Sequence, residues 1–579
     1  MRHLANLILA VRMKWREIFC VSEWSVLLLW AVPVGLLGAL ATELFRWALF
    51  EADRLVLGQG GGLVAIAVHL PPWLRVLVPT VGGLLAGGLL TVAVARRSTT
   101  PEPKSDYMEA TVLGNGCIPV RPSLVRSGSS LISIASGGSI GREGSMVQLA
   151  ALSASLLGRL LHFPVERLRL LVACGAAAGI TSAYNAPIAG AFFVAEVVLG
   201  SISMETLGPI MVACVVANIT MRAFPGYQAP YVMPAFPSIA GVEVLPFIVL
   251  GIVVGGTSAL FLRGLNVSRR FFHRLSLPLP LRLALGGLVV GLISVWSPEV
   301  WGNGYSVVNS VLHSQWSINA LLFLLLVKAV ATMATVGSGA IGGVFTPALF
   351  FGCIMGDVFG QVVQTFWLQN TSAPFAYAIV GMGAFLAGAT QAPLMAILMI
   401  FEMTQSYQVM LPLMTACVVA YFVARSANAG SMYDITLLRL SKRDEQLRLR
   451  TLHMRDLVQS TPTVVHPDAD RQAMNQLFLQ HPVKYLYVTD MQDRFLGVVP
   501  LNRLRAEVGG GDLTRQCAND WLSDEVTPLT SDMTLAEGLQ RFMEHRGERL
   551  PVIDSLASPV LLGSIDKSTL LATYVRLSE

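Results

Sequence analysis

Apolar residues run along the first three-quarters of this chain in long blocks broken by glycine and proline. SVLLLWAVPVGLLGALA (25–41), VLVPTVGGLLAGGLLTVAVA (76–95), FIVLGIVVGGTSALFL (247–262), ALLFLLLVKAVATMATVG (320–337) and LPLMTACVVAYFVA (411–424) are the clearest. Several are long enough, or nearly so, to span a hydrocarbon core of about 30 Å as helices. Near residue 440 the pattern gives way to the mixed order of a soluble domain. SKRDEQLRLR (441–450) reads as a charged linker between a membrane part, 1–440, and a soluble tail.

Each part contains a repeat. CGAAAGITSAYNAPIAGAFFVAE (174–196) resembles VGMGAFLAGATQAPLMAILMIFE (380–402). Gly175 to Pro187 and Gly381 to Pro393 are both 12 residues, while Pro187 to Glu196 and Pro393 to Glu402 are both 9. The constant offset of 206 points to duplicated halves, roughly 25–220 and 240–440. Each copy follows a glycine-rich break, GREGS (141–145) in the first and GGVFTP (342–347) in the second. Duplicated halves with interrupted helices mark transport proteins whose substrate site lies near the membrane midplane. The tail repeats at an offset of 64, where Asp456, Asp468, Phe478, Val488 and Asp490 match Asp520, Asp532, Phe542, Val552 and Asp554. In each copy a helix-like stretch precedes strand, turn and strand, which predicts two small α/β modules, 451–510 and 511–579.

Charge adds orientation to this plan. Only 13% of residues are charged, against about 25% in soluble domains. The net charge of +5 gives no reason to expect a nucleic-acid partner. Basic residues gather at Arg2, Arg12, Lys14 and Arg16, and again at Arg439, Lys442, Arg443, Arg448, Arg450 and Arg455. By the positive-inside rule both termini are expected in the cytoplasm. The N-terminus lacks a small-residue cleavage signal and reads as a retained amphipathic helix. Seven scattered cysteines with no CxxC pair suggest neither disulfides nor a metal site. The few histidines of the apolar part (His69, His162, His273, His313) form no HExxH or Ser/His arrangement, which argues against a membrane-embedded enzyme.

Against this background Glu143, in GGSIGREGSM (137–146), stands out. An intramembrane carboxylate is costly and by default marks function. A glycine-rich break ahead of a helix exposes N–H groups, and these attract anions together with the helix dipole. In GGVFTPALFFG (342–352), Val344 and Phe345 would offer their amides to an anion, with Gly343 in the break and Pro347 early in the new helix. Main-chain donors bind without a cationic side chain, so a weakly held anion can leave. In GREG, Gly141, Arg142 and Gly144 surround Glu143. At a helix start its carboxylate would fill the place that a passing anion needs. Protonated or swung aside, it would clear the path and tie anion movement to pH. The alternative is that Glu143 pairs with Arg126 or Arg142 and only holds helices together.

These residues resemble the chloride channel/transporter (CLC) family. GREG (141–144) matches its external-glutamate motif and GGVFTP (342–347) its GxFxP motif. AGSMYD (429–434) sets Tyr433 where the family has its anion-coordinating tyrosine, and the repeated AP…E segments and EMT (402–404) agree. The resemblance implies an all-α polytopic membrane protein, an inverted repeat of tilted, interrupted helices, followed by an α/β tail of tandem CBS modules. It also implies a homodimer in the lipid membrane, with a separate pore in each subunit, chloride as the transported ligand and no cofactor. Chloride would be held by the amides of Val344 and Phe345 and by the hydroxyl of Tyr433. In a bacterial setting the expected place is the inner, cytoplasmic membrane and the expected role an electrical shunt.

The chain departs from the family pattern in two places. The GSGIPE motif is best matched by RSTTPE (97–102), which makes Ser98 the candidate for the serine that faces the anion, although the glycines are missing. GNGCIP (114–119) lies too close to GREG and reads as a loop. Exchangers of the family usually carry an internal glutamate that relays protons. Here Glu196 matches the first of the paired glutamates, and Val197 takes the relay position. Valine carries no proton, so the pattern favours a gated chloride channel over a proton-coupled antiporter. A tail that senses a ligand, with the membrane part as anchor, is a third reading, but an anchor has no need of interrupted helices. In the tail, GVVPLNR (497–503) and GSIDKST (563–569) lack most of the polar groups of an adenine-nucleotide site, which argues for packing or linking rather than nucleotide binding. Tyr433 speaks against a fluoride-specific relative.

Overall fold

Seven helices among the described residues are long and apolar enough to cross a membrane: Val26–Arg54, Pro72–Val92, Met204–Ala223, Val244–Arg274, Ile318–Gly337, Phe345–Phe366 and Tyr407–Ser426. The computed structural model describes residues 23–57, 62–95, 106–237, 243–366, 371–427, 430–433, 452–506, 517–545 and 547–578. Five of the seven spans overlap the five apolar blocks, and Met204–Ala223 and Phe345–Phe366 join them. The expected N-terminal amphipathic helix and the charged linker lie outside the described residues. Chain contacts divide the protein into two compact units, residues 1–437 and 438–579. The first is the multi-span helical unit and the second is the α/β tail.

The two matched segments are alike in backbone detail. The helix Val165–Tyr184 ends on Asn185 in the left-handed region (φ 59°), and Pro374–Thr390 ends on Gln391 in the same region (φ 61°). In both copies an alanine follows with nearly the same backbone angles, Ala186 (φ -129°, ψ 82°) or Ala392 (φ -132°, ψ 77°), and a proline then opens the next helix. Those two proline-led helices cap each other. Glu196, from the first copy, accepts from the N–H groups of Leu394 (3.4 Å) and Met395 (2.9 Å). Glu402, from the second, accepts from Ile188 (2.9 Å) and Ala189 (2.8 Å). The relation is reciprocal, as an approximate twofold requires. Each carboxylate satisfies orphan donors of a helix start, which in hydrocarbon have no water to turn to.

One difference separates the copies. The first continues from Pro187–Phe192 into a π-helical turn, Phe193–Leu199, which ends on left-handed Gly200, whereas the second ends on left-handed Gln405. The offset is therefore 405 − 200 = 205 rather than 206. An extra residue is absorbed by the wider turn, as π-bulges do, often beside functional sites. Val197 lies in this turn and is buried.

Helices elsewhere meet through small residues. A Cβ on Gly352 would lie 2.3 Å from the carbonyl oxygen of Gly381, and one on Gly356 would lie 2.2 Å from that of Tyr377. The helices Phe345–Phe366 and Pro374–Thr390 thus touch backbone to backbone, the usual means of helix association where lipid removes the hydrophobic driving force.

The tail folds as two three-stranded sheets. Strands β1 (Val464–Val465), β2 (Tyr485–Thr489) and β3 (Phe495–Pro500) form the first, and β4 (Leu529–Thr530), β5 (Arg549–Ile553) and β6 (Leu561–Asp566) the second. In each, the first pair is parallel and the second antiparallel, with an irregularity after Val488 or Val552. The modules exchange segments. Residues before β1 bond to the second module (Met454 N–H to Met533 O at 2.8 Å; Gln459 N–H to Ser564 O at 3.0 Å), and Ser523 bridges back to Val498 in β3. Met454 is fully buried against Leu535, Phe542 and Leu570 of the second core.

Candidate functional site

The two glycine-rich breaks meet. Gly141 and Gly343 form an isolated antiparallel bridge, with Gly141 N–H donating to Gly343 O at 2.7 Å and Gly343 N–H to Gly141 O at 2.8 Å. Two residues after each bridging glycine a helix begins, Glu143–Leu160 on one side and Phe345–Phe366 on the other. Pro347 falls in the first turn of the second helix, where its missing N–H costs nothing. Phe345 opens that helix, so neither its amide nor that of Val344 has a carbonyl partner one turn earlier. Among the described residues neither amide meets an acceptor.

Glu143 sits at this junction and is 2% exposed. Its Oε1 accepts from the Tyr305 hydroxyl at 3.1 Å and from the Thr346 hydroxyl. Thr346 also bonds to Tyr305 (3.2 Å) and Tyr184 (2.9 Å), so three hydroxyls form one small network around a single carboxylate oxygen. Oε2 is buried without a hydrogen-bond partner. It lies where side chains at 141 and 343 would be. A Cβ on Gly141 would fall 2.0 Å from Oε2, and one on Gly343 would fall 2.8 Å from it. The glycines are thus required for the carboxylate to lie in this place.

Neither candidate arginine forms an ion pair with Glu143 among the described residues. Arg142 instead lays its guanidinium over the Tyr305 ring, 5.1 Å from the centroid. Tyr305 heads the helix Tyr305–His313 after left-handed Gly304 (φ 93°), and its ring meets Tyr231 edge-on at 4.9 Å. The loop before it is anchored by a residue not singled out from the sequence. Lys328, fully buried in Ile318–Gly337, donates from Nζ to the carbonyls of Val300 and Gly302, each at 2.8 Å, and lies over the Phe350 ring. Gly302 N–H reaches Gly137 O at 3.3 Å, and Gly137 (φ 92°) packs under Trp301, where a Cβ would fall 2.6 Å from the indole ring. Lys328 therefore holds the loop that carries Tyr305 and, through it, the start of the first break.

A cavity of about 360 Å³ opens beside the junction. Glu143, Gly144, Gly343, Val344, Phe345 and Tyr433 all line it. Tyr433 packs edge-on against Phe193, the first residue of the π-turn, at 5.7 Å. The breaks, the carboxylate, the candidate amides and the tyrosine thus converge on one space, although they are spread over 291 residues (433 − 143 + 1). Ser98 lies outside the described residues. What reaches the cavity from that stretch of chain is Asp106, Tyr107 and Met108, at the start of the helix Tyr107–Val112. The sequence held a signal for them: Asp106 followed by Glu109 has the spacing of a helix-start capping pair. Arg126 and Arg269 also line the cavity.

The sequence profile described as voltage gated chloride channel matches residues 82–425. Over 420 residues the chain is 53% identical to a protein of Ralstonia nicotianae named as a ClcB-like chloride channel protein, spanning 72% of this chain and 97% of the relative. It is 41% identical over 409 residues to the voltage-gated ClC-type chloride channel ClcB of Citrobacter koseri, spanning 70% and 97%. More than a quarter of this chain thus has no counterpart in these relatives. A slow cyanobacterial Cl−/H+ antiporter of known structure matches 72% of this chain and 98% of its own, at 26% identity and a TM-score of 0.62. A eukaryotic CLC transporter shares the fold over 95% of this chain and 99% of its own, at 17% identity and a TM-score of 0.59.

Proposed function

The chain belongs to the voltage-gated chloride channel (CLC) family, and from that premise we propose that it conducts chloride passively, with Glu143 as the gate. The observation that carries this reading is the Gly141–Gly343 bridge, which sets an acidic side chain and two acceptor-free amides in the wall of one cavity. With the carboxylate over the junction, a halide meets like charge. With it protonated or withdrawn, the amides of Val344 and Phe345, assisted by the Tyr433 hydroxyl, hold the ion weakly enough to release it. Gly141, Arg142, Gly144, Gly343 and Pro347 act by shaping this junction. Val197, buried and apolar, supports conduction without proton exchange. The reading includes a homodimer with one path in each subunit, cytoplasmic termini, and a tail built as a CBS pair that packs or links rather than binding nucleotide.

A proton-coupled antiporter is the second reading, favoured by the likeness to the cyanobacterial Cl−/H+ antiporter. Reversal potentials of the reconstituted protein separate the two. Under a fixed chloride gradient, an imposed pH gradient leaves the reversal potential at the chloride Nernst value for a channel. A clear displacement toward the proton gradient would establish exchange and overturn the proposal.

A further inference from the structure

The start of the helix Tyr107–Val112 turns toward the cavity, yet its first two amides are already used by this chain's own oxygens. Tyr107 N–H donates to Gln148 Oε1 at 3.0 Å, and Met108 N–H donates to Asp106 Oδ1 at 3.1 Å. Gln148 is itself fixed by a bond from Nε2 to Ser123 at 3.0 Å. Asp106, Tyr107 and Gln148 line the same cavity as Glu143, Val344, Phe345 and Tyr433. We propose that the Asp106 carboxylate is a fixed resident anion of this cavity, which keeps the opposing chloride site weak. The inference rests on the chloride reading above and adds a second acidic group to it. Glu143 can leave its place, whereas Asp106 is tied into the backbone.

The cap alone does not explain an aspartate. Asparagine and serine cap helix starts about as well as aspartate does, and neither brings a charge beside an anion path. A full negative charge there repels any halide held across the cavity, in surroundings where water screens it incompletely. With the helix start at 107–108 occupied, chloride is gripped from one side only, by the break at 344–345. Such a site fills readily and empties readily, which suits rapid conduction.

Asp106→Asn separates charge from capping, because it retains the cap and removes the charge. Full-length protein in detergent, exchanged into a buffer of a large impermeant anion, is titrated calorimetrically with sodium chloride. The same variant is also assayed for chloride efflux from liposomes. The variant should bind chloride about tenfold more tightly than the parent, with slower efflux at saturating chloride and an unchanged melting temperature. Parental affinity in a folded variant would show that Asp106 only caps its helix, and would overturn the proposal. If Asp106→Asn does not fold, Asp106→Ser, the other neutral cap, is read by the same criteria. Parent protein that neither binds nor moves chloride would remove the functional reading itself, an outcome distinct from an unchanged variant of an active parent.

Discussion

Adding one methyl group at Gly141 tests the gate without replacing its acidic residue. The backbone there is outside the left-handed region, so alanine brings no conformational strain of its own. Its Cβ would, however, fall 2.0 Å from Glu143 Oε2 and 2.9 Å from the Gly343 carbonyl oxygen. The first contact is with the end of a flexible side chain, and that is the part that yields. Moving the carboxylate breaks its bonds from Tyr305 and Thr346. Hydrogen bonds to a charged group are worth about 1.5 kcal/mol each at the low end, hence about 3 kcal/mol for the pair. The ratio of seated to displaced Glu143 therefore falls by a factor on the order of a hundred. In liposomes loaded with chloride, Gly141→Ala should raise efflux at neutral pH by at least about tenfold and flatten its rise toward acid pH. Gly343→Ala, with its Cβ 2.8 Å from the same oxygen, should do so more weakly. Gly88→Ala, whose added methyl would meet nothing within 4 Å, is the control. A folded Gly141→Ala protein with parental pH dependence would refute the idea that the seated carboxylate closes the path.

Three further substitutions probe the membrane unit. Glu143→Gln should conduct anions at all pH values with weakened pH dependence, read by efflux from liposomes at acid and neutral pH; unchanged pH dependence would reassign Glu143 to structure. Lys328→Met should leave the carbonyls of Val300 and Gly302 without a donor, a loss of about 2–6 kcal/mol, seen as a large drop in melting temperature in detergent, with Lys328→Arg restoring part of it. Glu402→Ala should orphan the amides of Ile188 and Ala189 and cost about 3 kcal/mol or more, with anion selectivity of the surviving protein unchanged. A stable Glu402→Ala protein with altered selectivity would place that residue on the ion path instead.

What could be read from the chain was whatever repeats or breaks a pattern locally. The 206-residue offset, the interrupted helices and the two motifs are one-dimensional signals, and the structure arranges them as helix starts and a reciprocal pair of caps. Contacts among residues far apart in sequence were not legible. Nothing around Tyr305 or Thr346 announces that their hydroxyls meet at Glu143, because the meeting depends on a bridge between residues 141 and 343. Lys328 was hidden inside an apolar run, where one lysine is easily read as a side chain that snorkels to the membrane surface; its carbonyl partners come from a loop 26 to 28 residues earlier. Asp106 escaped for another reason. The search for a glycine-rich motif led to RSTTPE, while this chain reaches the cavity with an aspartate-capped helix a few residues later. A motif can be replaced by a different solution to the same backbone problem, and a search by letters then passes over it.

Three buried or half-buried carboxylates in the membrane unit differ in what holds them, and on the proposed gating the difference decides which can move. Glu196 and Glu402 each bind two main-chain amides with both oxygens. If either left, the amides of a helix start would be stranded in a medium without water, so departure costs their full desolvation. Glu143 binds two hydroxyls with one oxygen and nothing with the other. Those hydroxyls also bond to each other, and Thr346 reaches Tyr184 as well. When Glu143 withdraws, they keep partners among themselves, and the space it frees is lined by amides that an incoming halide can satisfy. Under the proposed gating, the carboxylate and the anion would be interchangeable occupants of one junction. Exchange between them would cost less than freeing Glu196 or Glu402, because the hydroxyls keep partners among themselves and the amides gain the halide. On this reasoning the capacity to gate follows less from an acidic residue being buried than from which donors it leaves behind.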